Sequence, residues 1–527
     1  MKPVSTLKLK LATALSVVAL AGVTACGATS PTTPADAGSS SAASSASGSA
    51  SVAAGSFVVP ADTHADSDDG DYTTTGATTI ALADGATAID GEGATLDGDV
   101  ITVTKAGTYI VSGALSDGQL VVNSTGDGKV IVVLKDADIT SASTSPVAVT
   151  AADEAVVVLA DGSSNTLSDA AASGGDDDQT DAPTATLFSM ADLTIAGSGA
   201  LKVAGLSNDG IASKDGLVIL SGTLDVTAKD DGIRGKDYLV TEGGTITVTS
   251  GGDGLKSDND AAGELGMVQV DDGTVTVSAG DDGIDAVGAV NVADGKLTVA
   301  KSEEGLEGAQ ITVAGGTVDV TATDDGVNAT NGQTAGGGED AQDGVLLTVS
   351  GGNLHVTAAQ GDGLDSNGSA TITGGTTVVE AAPGGGGGTG TLDVNGSFPI
   401  TGGTLVALGG TSAAPAADSS QGWVAATLTT PAEAGQAVAV VSSSGTVVAR
   451  YVVPQTTTAL LVSAKDMVGG ESYDLYVGSA AGETGFSTGG TVSGLTKAGT
   501  VTAGQYTGSG RGGGGGGGRP GGGGSRR

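Results

Sequence analysis

Cysteine is nearly missing from this chain: Cys26 is the only one in 527 residues. No internal disulfide can form, so the fold must be held by packing and by bound ions. Histidine is almost as scarce, with His64 and His355 alone. That argues against a histidine-dependent hydrolase or a zinc centre, and both rings are expected to be surface decoration, His355 pointing outward between Leu354 and Val356. Aromatic residues make up 2% of the chain, and none occurs between Leu239 and Ser397. A broad aromatic platform of the kind that stacks on sugar rings is therefore absent over that stretch. Lys and Arg number 21 against 60 Asp and Glu, a formal net charge of −39, which argues against nucleic acid as a partner. Long apolar runs are lacking as well. The stretch Leu11 to Ala21 is too short and too weakly apolar for a membrane-spanning helix. No phosphate-cradling motif precedes a helix, and the Gly384 to Gly388 run reads as a flexible loop.

What is present begins with an export signal. Lys2, Lys8 and Lys10 precede the apolar stretch, and Val23-Thr24-Ala25-Cys26-Gly27 follows it, the layout of a secretory signal with small residues before the cut. Cys26 stands where a lipobox places the lipidated residue, so residues 1–25 are expected to be a lipoprotein signal peptide. The product would be anchored by lipid at the extracellular face of the membrane. Residues 26–56, nearly all Ala, Ser, Thr, Gly and Pro from position 28, are a flexible tether. Residues 508–527 form a Gly/Arg tail expected to be disordered.

Between these ends an internal repeat sets the fold. An acidic residue, a glycine and a branched aliphatic recur seven times, with the glycine at 210, 232, 254, 283, 305, 326 and 363. The period is about 22, and the two long intervals carry polar insertions, Ser257 to Glu264 and Ala329 to Asp343. Within one period, Ile233, Leu239-Val240 and Ile246/Val248 are three short apolar pieces, the last alternating with Thr245, Thr247 and Thr249. Alternation of this kind marks a strand with one buried face. Three strands per coil of about 22 residues predict an all-β, right-handed parallel β-helix, its coils stacked about 4.8 Å apart around a shared core. The inward ladder reads Ile246/Val248, Val275/Val277, Leu297/Val299, Val318/Val320, Leu354/Val356. Residues 57–410 are assigned to this solenoid, which begins before the clear repeats, at strands near Ile131–Leu134, Val156–Leu159 and Leu193–Ile195. Residues 162–186, with Asp176-Asp177-Asp178, look like an acidic surface loop. Residues 411–507, with Trp423, Tyr451, Tyr473 and Tyr476, are expected to form a small β-domain that caps the open end.

A period of 22 stacks equivalent side chains. One place before the glycine stand Asp209, Asp231, Asp253, Asp282, Glu304, Asp325 and Asp362; one earlier come Asp230, Asp281, Glu303 and Asp324; two after it come Asp285, Glu307, Asn328 and Asp365. Stacked like charges repel by about 1 kcal/mol even in water. Arg234, Lys236, Lys214 and Lys256 can serve the first coils but not coils four to seven. Clustered hard oxygens suit Ca2+, so this ladder is a candidate calcium site, best around Asp281 to Asp285 and Asp324 to Asn328. Asp-Gly is also an ordinary turn sequence, which explains the pair but not the doubled acids.

Asp230-Asp231-Gly232-Ile233-Arg234-Gly235-Lys236-Asp237, with Gly243-Gly244-Thr245-Ile246-Thr247-Val248, resembles the bacterial carbohydrate-binding-domain-containing β-helix proteins. Gly107 to Gly113, Ala160 to Leu167 and Gly254 to Asp260 match the same pattern, and the resemblance covers roughly residues 80 to 480. It implies a polysaccharide-lyase-like shape, calcium binding, and a polysaccharide partner, cellulose or acidic sugar. The missing aromatics leave flat cellulose poorly served, so acidic sugar bridged through calcium is the favoured expectation, for a monomeric chain. The alternatives are a calcium-dependent lyase, with Arg234, Lys236, Lys214 or Lys256 as base, and a structural spacer or adhesin; whether the chain is an enzyme stays open, with binding favoured.

Overall fold

The structure, a computed structural model, describes residues 63–169, 182–261, 266–332, 340–382, 390–410, 412–480, 482, 484–504 and 506–507. The signal segment, the tether with Cys26, Asp176 to Asp178, the Gly384 to Gly388 loop and the C-terminal tail lie outside them. Among the described residues every regular element is a β-strand.

Most strands belong to one large, mainly parallel sheet, and its pairing is β-helix-like. Each strand pairs with its counterpart in the coils before and after, in three ladders. One runs through Asp209–Ser213, Ile233–Gly235 and Leu255–Ser257. The next runs through Gly216–Ile219, Tyr238–Thr241 and Met267–Val270. The third runs through Thr223–Ala228, Thr245–Thr249, Thr274–Ser278 and Lys296–Lys301. Register follows the sequence period: Leu224 lies opposite Ile246, and Ile246 opposite Val275. In two coils the first and second strands fuse into one, Ile284–Val292 and Leu306–Val313.

The core is a stack of aliphatic rungs. Ile246, Val275, Leu297, Val318 and Leu354 are successive partners, and all are buried. No single coil encloses these side chains; each is covered by the rungs on either side.

The repeat glycine is required by space. A Cβ on Gly254 would lie 2.2 Å from Val277 Cγ1 and 2.5 Å from the Gly283 carbonyl oxygen; on Gly326 it would lie 2.0 Å from Val356 Cγ1. Turn preference is thus not what fixes this glycine: the first strand of each coil crosses the core-facing valine of the third at backbone distance. The glycine pair at the other corner is different. Gly244 and its counterpart Gly273 have φ of 90° and 95°, open to glycine without the Cβ penalty.

Three expectations need correction. Residues 162–186 are not one loop: Ser164–Asp169 is a strand whose Asn165, Leu167 and Asp169 are buried, and Ala185–Ser189 starts the next coil. His64 is not surface decoration. Its side chain is 8% exposed, with Nδ1 2.8 Å from the Tyr238 hydroxyl and Nε2 3.0 Å from Thr194 Oγ1. The segment around it straps the outer face of the second ladder, where Ala65 packs against Val218, Val240 and Met267. Lys129 closes the strap through Asp66, Asp69 and Glu154 at 2.9, 2.6 and 2.8 Å. Finally, the chain after 410 is shared between two sheets. Thr457–Ser463 extends the solenoid sheet antiparallel to Thr404–Gly409, and Trp423–Ala432 pairs antiparallel on its other side. Five further strands make a separate antiparallel sheet, whose Val438, Val440, Tyr451 and Leu475 pack on Val378, Val406 and Leu408 of the last coils.

Candidate functional site

The acidic corners form one continuous ladder along the edge where the first strand of each coil begins. Six of the seven carboxylates before the repeat glycine, all but Glu304, reach into the next coil and accept a backbone N–H there. Asp253 N donates to Asp231 Oδ1 at 2.9 Å, Asp282 N to Asp253 Oδ1 at 2.9 Å, Glu304 N to Asp282 Oδ1 at 3.3 Å and Asp362 N to Asp325 Oδ1 at 2.6 Å. One oxygen of each of these six acids thus holds two coils together. The other is left for the outward position two residues past the glycine.

That outward position decides the electrostatics of each coil. In register order it holds Ala212, Arg234, Lys256, Asp285, Glu307, Asn328, Asp365 and Asp393. Lys256 Nζ lies 2.7 Å from Asp253 and 3.2 Å from Asp231, and these two carboxylates push the amine's pKa up. Arg234 forks onto Asp258, with Nε 3.0 Å from Oδ1. Lys214 and Lys236 follow Ser213 and Gly235, past the strand ends, half-buried. From Asp285 onward the cations are replaced by oxygen ligands.

Where the cations stop, acids crowd together. Among the described residues, three groups bring one carboxylate oxygen from each member within 4.8 Å of the others: Asp253, Asp281 and Asp282; Asp282, Glu304 and Glu307; Asp362, Asp365 and Asp393. Burial first, then neighbouring carboxylates, push Asp282 and Asp365 up to about 8. Glu307 goes to about 9 through burial and its bond with Glu304. Asp285 and Asp325 reach about 7, and Asp231, partly relieved by Lys256, about 6. Asp209, among the most buried, rises to about 8, and Asp362 to about 6; Asp281 is also raised.

Asn328, 9% exposed, sits among these acids. Its Nδ2 donates to Glu304 Oε2 at 2.8 Å, and its buried Oδ1 has no hydrogen-bond partner among the described residues. A buried carbonyl oxygen without a donor, amid carboxylates, is costly unless a cation faces it. The donor set is hard oxygen throughout, which fits a calcium-type ion.

Of the residues expected to bind metal, the structure therefore gathers Asp253, Asp281, Asp282, Glu304, Asp362 and Asp365 into these groups, with Glu307. Asp230, Asp231, Asp285, Glu303, Asp324, Asp325 and Asn328 line the same edge without joining one. Asp393 went unrecognised because Gly390 and Thr391 stand where the repeat has acid and glycine. The signal was there in Leu392-Asp393, which repeats Leu364-Asp365 and pairs with it.

Comparison with known proteins gives three likenesses. A carbohydrate-binding domain-containing protein of Acetivibrio thermocellus is 30% identical over 128 residues, 24% of this chain and 45% of that relative, so the match spans less than half of the relative's length. A solved structure described as the polysaccharide lyase-like protein from C. thermocellum, a gadolinium derivative, is 30% identical, with 46% of this chain and 93% of that one covered at a TM-score of 0.40. Residues 97–345, which hold the first two acidic groups, match the family described as carbohydrate-binding domain-containing protein.

Proposed function

We propose that the exported chain is a calcium-dependent binding protein for acidic polysaccharide, held at the extracellular face of the membrane by lipid on Cys26. Its framework is read as a right-handed solenoid of about 22 residues per coil, a reading supported by the three ladders and their register. The observation that carries the function is the switch along one edge. Early coils neutralise their acids with Arg234 and Lys256, whereas coils four to seven offer oxygen clusters and the Asn328 carbonyl, which has no hydrogen-bond partner among the described residues. Calcium held by Asp282, Glu304 and Glu307, by Asp253 and Asp281, and by Asp362, Asp365 and Asp393 supplies the missing positive charge. With coordination positions left for outside oxygens, it bridges the ladder to a uronate carboxylate. The family match at 97–345 supports a glycan as the partner.

A lyase is the weaker reading. A lysine base needs its pKa lowered toward neutrality, and Lys256 is shifted the other way by the two carboxylates it bridges. Arg234 is tied to Asp258.

The test is retention on polygalacturonate and alginate, with calcium and with EDTA. Calcium-dependent retention that is lost in Asp282→Asn and Asp365→Asn supports the assignment. Equal retention in chelator, or none in either condition, refutes it, and ultraviolet-absorbing unsaturated product would mark a lyase instead.

A further inference from the structure

The last strand of the chain points toward the acidic edge. Tyr506–Thr507 pairs parallel with Trp423–Ala432, Ala425 facing Tyr506. From Ala425 the pairing continues through Leu461 and Ala407 to Val379, Val356 and Val320 of the third ladder. Tyr506 thus shares a rank with Val320, and two antiparallel steps leave its strand running the same way as that ladder. Asp324 stands just beyond the Thr317–Ala322 strand, where the third strand gives way to the acidic corner. The strand of Tyr506 is therefore aimed at the same edge, six strand spacings, about 29 Å, from that coil.

On that edge the outermost acids form a row of their own. Asp281, Glu303 and Asp324 occupy one position in successive coils, where Glu303 N donates to the Asp281 carbonyl at 2.7 Å and Asp324 N to the Glu303 carbonyl at 2.9 Å. All three are exposed, each beside the half-buried acid that precedes the repeat glycine. Counter-charge is scarce: from Ser257 to Asp393 the sequence holds no arginine, and its only lysines are Lys296 and Lys301. In the same coils the buried Asn328 carbonyl oxygen has no hydrogen-bond partner among the described residues. Gly508 to Arg527 has the opposite character, with Arg511, Arg519, Arg526 and Arg527 and no acid. Extended chain from Tyr506 spans about 43 Å by Arg519 and about 66 Å by Arg526, enough to cover the row from Asp324 to Asp281.

We propose that residues 508–527 are a tethered counter-ion for this edge, their arginines docking over Asp281, Glu303 and Asp324 in competition with calcium. The inference rests on the reading of the edge as a cation site and adds how that site is regulated. A guanidinium forks onto a carboxylate through two N–H groups, and carboxylates stacked about 4.8 Å apart offer adjacent landing places. One exposed pair is weak and screened by salt; several on one tether act at a high effective concentration. The glycines between the arginines put no side chain between backbone and edge. Calcium taken up with Asp281 removes a carboxylate the arginines use, so ion and tail occupy the edge in exchange for one another.

The experiment uses the exported chain from Gly27, which lacks Cys26, so introduced cysteines are the only thiols. Nitroxides go on Thr321→Cys, an exposed position beside the row, and on Ser525→Cys. Double electron–electron resonance in EDTA at low salt is expected to give a short, narrow distance distribution. It should lengthen and broaden with calcium, at high salt, and in the triple variant Asp281→Asn, Glu303→Gln, Asp324→Asn. A broad distribution in EDTA that the three replacements leave unchanged overturns the docking, whatever calcium does. Calorimetry then tests the competition: with Arg511→Ser, Arg519→Ser, Arg526→Ser and Arg527→Ser together, calcium should bind about threefold tighter or more at low salt and as in the parent at high salt. Equal affinity at low salt overturns the regulation; if that variant instead loses binding to phosphatidylglycerol vesicles, the tail serves an anionic membrane. If neither chain binds calcium, the cation reading of the edge has failed, and the competition with it; the distances in EDTA show separately whether the tail docks.

Discussion

Calcium binding to the acidic edge should expel protons, and the number follows from the raised pKa values. Asp282 and Asp365 titrate at about 8 and Glu307 at about 9. In the metal-free chain at pH 7 the first two are therefore roughly nine-tenths protonated and the third almost wholly so. A coordinating carboxylate must be ionised. Filling the groups that contain these three acids thus releases about three protons at pH 7. Calorimetric calcium titrations in buffers of different ionisation enthalpy read this directly, as the slope of observed against buffer enthalpy. A slope near three at pH 7, falling toward zero above about pH 10, is the expected result. Calcium binding with zero slope at pH 7 would mean the acids are already ionised, and would refute the argument from burial and crowding.

The same shifts fix how stability responds to pH. Folded-state values lie above the unfolded ones, so the folded chain holds more protons between about pH 4 and pH 8. By linkage, the stability these groups contribute is intact below the unfolded pKa and is lost as pH rises through the folded one. In EDTA the melting temperature should therefore fall from pH 5 to pH 8, and saturating calcium should flatten the curve. A melting temperature that rises over this range in EDTA counts against the shifts.

Three further outcomes are expected. Lys256→Met leaves Asp231 and Asp253 buried against each other and should cost about 2–4 kcal/mol in urea unfolding at pH 7, less at pH 5, where Asp231 takes up a proton. Gly254→Ala drives a methyl into Val277 and the Gly283 carbonyl and should cost about 1–3 kcal/mol, whereas Gly126→Ala, with open space around it, should be neutral. Lys129→Met removes the cation shared by Asp66, Asp69 and Glu154; amide exchange should then speed up in residues 63–70 while the solenoid core keeps its protection.

Much of this fold was legible because each coil must meet the same constraint. The repeat glycine recurs where the chain crosses a core valine, and the inward Ile246, Val275, Leu297, Val318 ladder shows as simple alternation. The acidic ladder was legible for the same reason: a fixed period converts spacing in sequence into stacking in space. What stayed hidden depends on contacts the period does not encode. His64 meets Thr194 and Tyr238 at separations of 130 and 174 residues. Glu380 occupies an outward position that alternation assigns to water, and only the second sheet buries it. Asp393 lost its flanking motif while keeping its register.

The outward position two residues past the glycine is where coils with their own counter-charge differ from coils that lack it, and one substitution tests whether it is sufficient. Lys256 reaches Asp253 in its own coil and Asp231 in the coil before. Glu307 stands in the same relation to Glu304 and Asp282, with which it forms an oxygen cluster. Glu307→Lys should therefore recreate the lysine-sealed corner two coils further on. In EDTA at pH 8 the variant should melt higher than the parent, because an internal cation replaces carboxylate repulsion. Its calcium stoichiometry should fall, since the Asp282, Glu304 and Glu307 group is filled, while the group at Asp362, Asp365 and Asp393 still binds. A variant that binds as many ions as the parent, or that melts lower in EDTA, would show that counter-charge at this position does not govern the ladder.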